Sequence, residues 1–457
     1  MKIKKPSKTN FKTISGRIQK EMKRLKVPGV AIGIYHKGNE WSAGFGTTSI
    51  EHPLPVTPDT LFQVGSISKT FTGTLLMMLS EQGKVYLDTP VCNYIADFTL
   101  SDQSVAKKVT IRHLLTHTGG WVGDYFNDFG PGADALDKMV KDIAKLPQVQ
   151  PLGKIWSYNN TGFNIASRVI EVVTNKTYEQ ALQDMLLDPI GLNMTYLYPS
   201  DILFTHRFVV GHYKEDKKVK VARPWAIGRA GNGVGGVVST VKDLLKYARF
   251  HMSHGKSESG KRIIKPRSLE AMREPQVSQG PRGDMAITWF IRYAGDLTAY
   301  AHGGATHGQQ AYFFYIPEKD FALAVLTNSD DGGIITSQTF GLALNLYFGI
   351  KPKTPKPMAK PQGLQEFVGR YKIGTECFDI KIKGKQLIYH HIPLGGFPRP
   401  DTPPGPARPP MRFAFYDHDK LIGLDEPYKD ALADIIRDDR GHVEYFRVGG
   451  RAHKKIS

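Results

Sequence analysis

One stretch, residues 61–79, constrains this chain more than any other, because it predicts a buried helix that begins beside two polar residues. Gly65 permits a tight turn, and an apolar run follows: Leu75, Leu76, Met77, Met78 and Leu79. Ser66 and Lys69 stand three residues apart at the helix start, so their side chains share one face and can touch. Lysine can activate a serine as its base where desolvation or a nearby positive charge lowers its pKa. Free N–H groups at the helix N-terminus favour developing negative charge, so the stretch predicts acyl transfer.

Ser-x-x-Lys pairs are common, and context has to select among them. The chain holds the pair three more times, each in polar or charged surroundings: Ser104/Lys107, Ser239/Lys242 and Ser253/Lys256. Ser66 combines a preceding glycine with apolar residues on both sides of its stretch. Ser66 is therefore the candidate nucleophile, and Lys69 is its candidate base.

The composition indicates a soluble globular protein with room for about two or three domains. Of 457 residues, 40% are hydrophobic and 23% are charged, both ordinary values for such proteins. Lysine and arginine outnumber aspartate and glutamate by 61 to 43, a formal net charge of +18. The basic residues are spread along the chain without interleaved aromatic residues, so a solvated basic surface is favoured over nucleic-acid binding. Steep salt dependence of DNA binding would favour the opposite interpretation.

Neither a membrane segment nor a cofactor site is predicted. No apolar stretch is long enough to span a bilayer, and residues 14–20, behind a basic N-terminus, lack the apolar core of a signal peptide. The glycine-rich stretch 231–236 does not fit a dinucleotide-binding motif, and the histidines show no metal-ligand spacing. Cys92 and Cys377 fall in different predicted domains and are interpreted as free thiols. The sequence therefore predicts a cytoplasmic protein without metal or cofactor.

Secondary-structure patterns predict helices between two groups of strands. Apolar residues at helical spacing predict helices at 11–25, 161–187 and 333–348. Strands are predicted at 30–35, 40–45, 297–302, 310–316 and 321–327. Strands at both ends of the first 350 residues indicate an α+β fold, in which helices flank an antiparallel sheet and a helical subdomain is inserted between strands.

The rest of the chain is predicted to form a second domain. Residues 1–350 make the first domain, 351–363 a solvated linker rich in proline and lysine, and 364–457 the second domain. Short β-like runs there predict a small antiparallel barrel or sandwich: 378–382, 386–389, 412–416 and 443–448. The loop 393–411 holds eight prolines. We hypothesise that this stiff loop caps a cleft, with a plain exposed hairpin loop as the alternative.

Two further motifs supply groups that acyl transfer needs. Tyr158-Asn159-Asn160 lead from a loop into a helix, and a phenol can pass a proton while an amide holds a substrate carbonyl. His302-Gly303-Gly304 stand at the end of a predicted strand, where glycines let a substrate approach the strand edge. The N–H of Ala305 could pair with that of Ser66 as an oxyanion hole.

With Ser-x-x-Lys, Tyr-x-Asn and His-x-Gly in this order, the chain resembles the serine β-lactamase and penicillin-binding protein superfamily. The closer likeness is to its branch of class C enzymes, DD-peptidases, esterases and D-aminopeptidases. The matching residues are Ser66/Lys69, Tyr158/Asn160 and His302/Gly304. Similar supporting stretches lie at 87–91, 112–120, 235–240 and 326–328, and the likeness covers residues 15–350. The resemblance implies a β-lactamase-like fold, and the second domain fits family members whose catalytic domain is followed by a lipocalin-like barrel.

The resemblance also implies a role for each motif residue. Ser66 would form an acyl-enzyme, and Lys69 would be the base for its attack. Tyr158 would act with Lys69 in passing a proton to the leaving group and in activating the water that releases the product. His302 replaces a lysine of β-lactamases, and a neutral imidazole binds an antibiotic carboxylate less well, which favours ester or peptide cleavage. The motif residues expected to bind substrate are Asn160, His302, Gly303, Gly304 and Ala305.

Near matches and an aromatic loop leave alternatives open. His117-Thr118-Gly119 and Tyr125-Phe126-Asn127 also fit two of the motifs, but both precede Tyr158. His117 is interpreted as structural because it lies at a predicted helix end. Trp121, Tyr125 and Phe126 either line the substrate pocket or only cover the core.

Three functional hypotheses follow. The first is a cofactor-free serine hydrolase that cleaves esters, small peptides or amides through an acyl-enzyme, with weak β-lactamase or penicillin-binding activity as an alternative. The second is a binding or scaffold protein on the same fold, which the three intact motifs argue against. The third is binding of anions or nucleic acid through the basic surface. A homo-oligomer is an open alternative, and the motifs do not distinguish D- from L-substrates.

Overall fold

The computed structural model describes residues 8–203, 206–225, 227–351, 353–358, 363–396, 402–404, 407–426 and 428–457. In these residues the chain forms a large antiparallel sheet with helices on both faces, followed by a closed β-barrel. The predicted α+β class, with a C-terminal all-β barrel, is confirmed.

The strands that precede the barrel form one large sheet and two small pairs. In chain order they are β1 (Gly29–His36), β2 (Asn39–Gly46), β3 (Phe62–Gln63), β4 (His212–Glu215), β5 (Lys218–Val221), β6 (Val238–Ser239), β7 (Val277–Ser278), β8 (Asp284–Met285), β9 (Phe290–Ala294), β10 (Leu297–Thr306), β11 (Gln309–Ile316) and β12 (Phe321–Thr327). The large sheet has the order β2-β1-β12-β11-β10-β9-β8-β7, and its neighbouring strands are antiparallel. β3 pairs with β6, and β4 pairs with β5.

Helices cover both faces of this sheet. In chain order they are α1 (Lys8–Leu25), α2 (Ser68–Glu81), α3 (Gln103–Ala106), α4 (Ile111–Leu115), α5 (Ala135–Ile143), α6 (Thr161–Thr174), α7 (Tyr178–Leu182), α8 (Asp188–Ile190), α9 (Pro199–Leu203), α10 (Val241–Met252), α11 (Pro266–Ala271) and α12 (Gly332–Phe348). α1 and α12 pack together on one face, and α10 packs on the other. Successive side chains of a strand point to opposite faces of the sheet, so the sheet has a core on each face. On β1, Val30 and Ile32 belong to one core cluster and Ala31 belongs to the other.

Helix α2 is buried all round, as its apolar sequence predicted. Its residues from Ser68 to Leu79 are all buried. The threonines among them are paired: Thr72 Oγ1 donates to the Gly233 carbonyl at 2.7 Å, and Thr74 Oγ1 lies 2.8 Å from the Tyr247 hydroxyl. Since buried hydroxyls are costly to leave unpaired, these bonds fix the rotation of α2 and the direction of each of its side chains.

Strand β10 is longer than the sequence predicted. The predicted strand ends at residue 302, but β10 continues to Thr306 and pairs with β11 as far as Thr306↔Gln309. The prediction that His302-Gly303-Gly304 lie at a strand end is therefore wrong, because the triplet lies inside the strand. Glycines weaken a strand, but the tight turn between β10 and β11 keeps the two strands paired at Gly303 and Gly304.

The barrel closes where its last strand meets its first. Strand β20 pairs with β13, and aromatic side chains such as Phe378, Phe413 and Phe446 fill the interior. Four of these strands, β13, β17, β18 and β20, have no counterpart among the predicted strands. The barrel strands are β13 (Gly369–Ile373), β14 (Glu376–Lys383), β15 (Gln386–Pro393), β16 (Met411–Asp417), β17 (Lys420–Gly423), β18 (Leu432–Arg437), β19 (Val443–Val448) and β20 (Arg451–Lys455).

Three smaller expectations concern the loop, the membrane and the cysteines. The loop 393–411 connects β15 to β16, and its residues 397–401, 405 and 406 lie outside the described residues. Within the described part of the chain, no helix is both long and apolar enough to cross a membrane. Cys92 and Cys377 are free thiols, as predicted.

Candidate active site

Ser66 lies in a tight turn, Gly65–Ile67, that leads directly into α2. Its side chain is half-buried, whereas the residues on both sides of it are buried. Gly65 has a φ of +55°, and a Cβ built on it would lie 2.5 Å from the Ala305 nitrogen. Only glycine fits such a backbone without strain. The sequence thus places a reachable hydroxyl where the turn and β10 meet.

Lys69 is the group that can activate this hydroxyl. Its Nζ lies 2.9 Å from Ser66 Oγ and donates to the Val234 carbonyl at 2.7 Å. The side chain is fully buried. Burial lowers the pKa of the Lys69 ammonium well below its usual range, and the Arg451 guanidinium lowers it further. A desolvated amine beside a serine is suited to accept the hydroxyl proton.

Tyr158 completes a cluster with Ser66 and Lys69. Its ring centre lies 5.2 Å from Lys69 Nζ. Burial raises the pKa of Tyr158, and the nearby Ser66 hydroxyl and Arg451 guanidinium lower it by a smaller amount. The phenol is therefore protonated at neutral pH and can donate a proton to a leaving group.

Strand β10 lies directly against the Ser66 turn. A Cβ on Gly304 would lie 1.8 Å from the Val64 carbonyl oxygen and 3.2 Å from the Ser66 nitrogen. Ala305, the next residue, is exposed. This close approach brings the backbone nitrogens of Ser66 and Ala305 near each other, as the predicted oxyanion hole requires.

His302 lies on the same strand but is buried. Its ring stacks on Phe290 with 4.5 Å between centroids, and its Nδ1 lies 2.6 Å from the Gly303 carbonyl oxygen. Burial lowers the pKa of His302 to about 3, and Lys69 contributes to the shift. The imidazole is therefore neutral throughout the physiological range. A neutral ring at this position cannot form an ion pair with a substrate carboxylate.

Asn160 is held by a carboxylate that the sequence did not single out. Its Nδ2 donates to Asp124 Oδ1 at 2.6 Å. The neighbouring Asn159 has a different task, because its Oδ1 accepts from the Gly162 N–H at 2.8 Å and so stabilises the start of α6. The amide of Asn160 is thus buried, and its donor is held by Asp124.

Two residues of the barrel reach this site from the β19–β20 hairpin, Gly450 in its turn and Arg451 at the start of β20. The Gly450 carbonyl accepts from the Tyr158 N–H at 2.8 Å. Arg451 donates through Nε and Nη2 to the two oxygens of Asp124, at 2.9 and 3.0 Å. Its Cζ lies 4.7 Å from the centre of the Tyr158 ring. The barrel is therefore part of the wall of the site.

Comparison with known proteins identifies the family. A family model described as Beta-lactamase matches residues 14–335. Penicillin-binding protein 4 of Amycolatopsis lactamdurans is 31% identical to the chain over 347 residues, which cover 74% of this chain and 90% of that protein. The chain belongs to the β-lactamase family. It is accordingly a β-lactamase-like serine hydrolase, and the resemblance inferred from its three motifs is confirmed.

Two solved structures share the fold of this β-lactamase-family protein. The crystal structure of SurE with D-Leu matches with a TM-score of 0.76 and 22% identity, over 98% of this chain and 100% of that chain. The D-amino acid amidase from Ochrobactrum anthropi SV3, complexed with D-phenylalanine, matches with a TM-score of 0.62 and 21% identity, over 74% and 98% of the two chains. Because the first match spans nearly the whole chain, it includes the barrel.

Of the aromatic residues in the loop of this β-lactamase-family chain, Trp121 belongs to the core. Trp121 is only 2% exposed, and its Nε1 donates to the Thr161 hydroxyl at 2.9 Å. The Tyr125 hydroxyl donates to Asp142 on α5, and Phe126 is exposed. The structure therefore favours core packing over pocket lining for Trp121, because its polar atom is already paired inside the protein.

His117 supports the loop that carries Tyr158. It is buried, and its Nδ1 lies 3.0 Å from both the N–H nitrogen and the carbonyl oxygen of Asn159. Its ring packs on the Tyr158 ring with 4.3 Å between centroids. Burial lowers the pKa of His117 well below its usual value, so this ring is neutral. These contacts agree with the interpretation of His117 as structural.

The contact between β10 and the Ser66 turn gives a first testable prediction. We expect Gly304→Ala to lower the rate of Ser66 labelling by a fluorophosphonate about 10²-fold, because the added methyl overlaps Val64 and moves β10 away. Gly16→Ala, on α1 and away from the site, is the control, since its Cβ would meet nothing within 4 Å. Labelling would be followed by intact mass, with thermal unfolding measured alongside. Equal rates for both variants would contradict this account of the site.

Proposed function

We propose that this protein is a cofactor-free serine hydrolase that forms an acyl-enzyme on Ser66 and cleaves carboxylic esters or small peptides and amides. The observation that carries the proposal is the 2.9 Å contact between Ser66 Oγ and Lys69 Nζ, inside a buried site that lowers the pKa of the lysine. The family match supports hydrolysis, and the substrate class is our inference from the site.

Each group has a task in the proposed reaction. The neutral amine of Lys69 accepts the Ser66 proton while Oγ bonds to the substrate carbonyl carbon, and the N–H groups of Ser66 and Ala305 stabilise the oxyanion. The carbon–oxygen or carbon–nitrogen bond then breaks, and the leaving group takes a proton through Tyr158. Water then attacks the carbonyl carbon of the ester on Ser66 and gives a proton to the Lys69–Tyr158 pair. The bond from that carbon to Ser66 Oγ breaks, Oγ takes the proton back from the pair, and the carboxylic acid leaves.

The neutral His302 favours esters and amides over β-lactam antibiotics. A charged lysine at that position would attract the antibiotic carboxylate, whereas a buried imidazole with a pKa of about 3 carries no charge at neutral pH. The similar structures named for D-leucine and for a D-amino acid amidase give a reason to include D-aminoacyl amides among the first substrates tested. The relative named as a penicillin-binding protein keeps slow acylation by β-lactams as the second candidate activity.

The proposal is tested by intact-mass analysis after treatment with a fluorophosphonate. We expect one adduct on the wild type and none on Ser66→Ala, because only an activated serine reacts at a useful rate. Ser253→Ala is the matched control, since Ser253 belongs to another Ser-x-x-Lys pair but is exposed. Its adduct should equal that of the wild type.

Two results would overturn the proposal. An adduct that persists on Ser66→Ala would assign the nucleophile to another residue, and a wild type without an adduct would favour the binding or scaffold hypothesis. With a labelled wild type, nitrophenyl esters, D- and L-aminoacyl amides and a chromogenic cephalosporin would be compared by kcat/KM. Faster turnover of the cephalosporin than of any ester or amide would overturn the proposed substrate class.

A further inference from the structure

The turn between β19 and β20 is docked firmly against the loop that carries Tyr158. Besides the bond from the Tyr158 N–H to Gly450, three contacts flank it. The Ala452 N–H donates to Ser157 Oγ at 3.1 Å, Gln150 Nε2 donates to the Ala452 carbonyl at 2.7 Å, and Arg447 Nη1 donates to the Trp156 carbonyl at 3.2 Å. None of these bonds involves the Arg451 side chain, so changing that side chain leaves the docking contacts in place.

The Arg451 side chain itself links two residues of the site. One edge of its guanidinium makes the paired bonds to Asp124, and Nη1 donates to the Gly449 carbonyl at 3.1 Å. The same Asp124 accepts from Asn160. Arg451 lies over the Tyr158 ring within the distance of a cation–π contact. One barrel residue therefore contacts the phenol from above and, through Asp124, holds the amide beside it.

We propose that Arg451, supplied by the barrel, is a positioning residue of the catalytic centre that fixes the Tyr158 ring and, through Asp124, the Asn160 amide. The inference rests on the proposed function of Ser66. A paired guanidinium is suited to this task because its planar donors fix both direction and distance. The barrel thereby completes the site, and the two parts of the chain act as one enzyme.

The charges around Tyr158 give the inference a signature in the pH dependence. The groups that face the phenol are Ser66 in the turn before α2, Lys69 on α2, His117, Asp124, His302 on β10 and Arg451. Both histidines are neutral, so Arg451 and Asp124 are the fixed charges. Arg451 lowers the pKa of Lys69, whereas Asp124 raises it. The acidic limb is the part of the pH profile of kcat/KM where activity falls as Lys69 becomes protonated. Removing the Arg451 charge should move this limb to higher pH, and removing the Asp124 charge should move it to lower pH.

The test compares four variants by kcat, KM and their pH dependence for hydrolysis of a nitrophenyl ester. We expect Arg451→Met to lower kcat about 10²-fold with little change in KM, and to move the acidic limb of kcat/KM to higher pH. Arg451→Lys should restore the wild-type limb but only part of kcat, because it keeps the charge and loses the paired geometry. Asp124→Asn should lower kcat and move the limb to lower pH. Arg412→Met, which breaks a similar paired contact with Asp425 on the barrel surface, is the control and should resemble the wild type.

Several outcomes would overturn the inference. Wild-type kinetics in Arg451→Met would show that the residue has no part in the site, and a raised KM with unchanged kcat and pH profile would make it a substrate-binding residue instead. Shifts of the same sign in Arg451→Met and Asp124→Asn would also contradict it. Thermal unfolding identifies a variant that fails to fold. If Arg451→Met is such a variant, the kinetics of Arg451→Lys test the inference in its place. Fluorophosphonate labelling of wild-type Ser66 separates this inference from the proposed function, because only failure of the latter abolishes that adduct.

Discussion

Lys69→Met is expected to lower the rate of Ser66 acylation by about 10⁴-fold, at the upper end of what a general base supplies. The amine contacts the hydroxyl directly, and it is buried, so water cannot take its place. Methionine fills a similar volume without a proton acceptor. The rate of fluorophosphonate labelling, measured by intact mass, reports this loss without knowledge of the natural substrate.

The same variant should change how the free energy of unfolding depends on pH. The native pKa of Lys69 lies well below that of an unfolded lysine, which is about 10.4. Between those two values the unfolded chain binds a proton that the native protein does not, so stability rises with pH in that window. Lys69→Met should lose this rise. Urea unfolding of both proteins at several pH values measures it.

Lys242→Met is the matched control for both measurements. Lys242 belongs to the Ser239 pair, but its Nζ lies 2.9 Å from Asp59 on the surface, and 44% of its side chain is exposed. We expect wild-type labelling and a wild-type pH dependence of stability. A labelling rate of Lys69→Met close to that of the wild type would exclude Lys69 as the base.

The site residues that could be predicted from the sequence lie in short, local patterns. Ser66 and Lys69 are three residues apart, and helix geometry alone brings them together. Tyr158 and Asn160 likewise stand at the start of one helix, where the chain direction is set by neighbouring residues. The distances between these groups required the fold, because β10 comes from a distant part of the chain and meets the Ser66 turn only in the folded protein.

Arg451 and Asp124 could not be found in this way. They are 327 positions apart in the chain, and neither stands in a motif that predicts its partner. Asp124 does lie in the loop that the sequence singled out, but that loop was chosen because of its aromatic residues. The hypothesis that the proline-rich loop 393–411 caps a cleft rests on composition, which indicates a stiff loop but not its position relative to the site.

Some of the barrel strands, among them β18 and β20, were missed for a related reason. Propensity favours β-branched and aromatic residues, and β18 and β20 carry charged residues such as Asp434 and Arg451. Their strand conformation comes from pairing with neighbours, as in the register Asp434↔Arg447 between β18 and β19. Tertiary pairing thus outweighs local preference in this part of the chain.

That cross-strand pair carries the second large prediction, because it is buried. Arg447 Nε and Nη2 donate to the two oxygens of Asp434 at 2.9 and 2.6 Å, and the side chains are only 6% and 12% exposed. Asp434→Ala would leave a buried guanidinium unpaired. We expect the free energy of unfolding to fall by about 3–5 kcal/mol. Urea denaturation, monitored through a spectroscopic signal that reports on the barrel, measures this change.

Replacing both partners should behave differently from replacing one. Burial raises the pKa of Asp434 even though Arg447 lowers it, so desolvation outweighs the attraction of the pair. The double variant Asp434→Leu/Arg447→Met removes that cost and should recover most of the stability lost by Asp434→Ala.

The double variant also removes the bond from Arg447 to the Trp156 carbonyl. If it is stable but its Ser66 is labelled more slowly, the docking of the barrel contributes to the reactivity of the site. If the double variant were no more stable than Asp434→Ala, the ion pair itself would have to stabilise the barrel, contrary to this account.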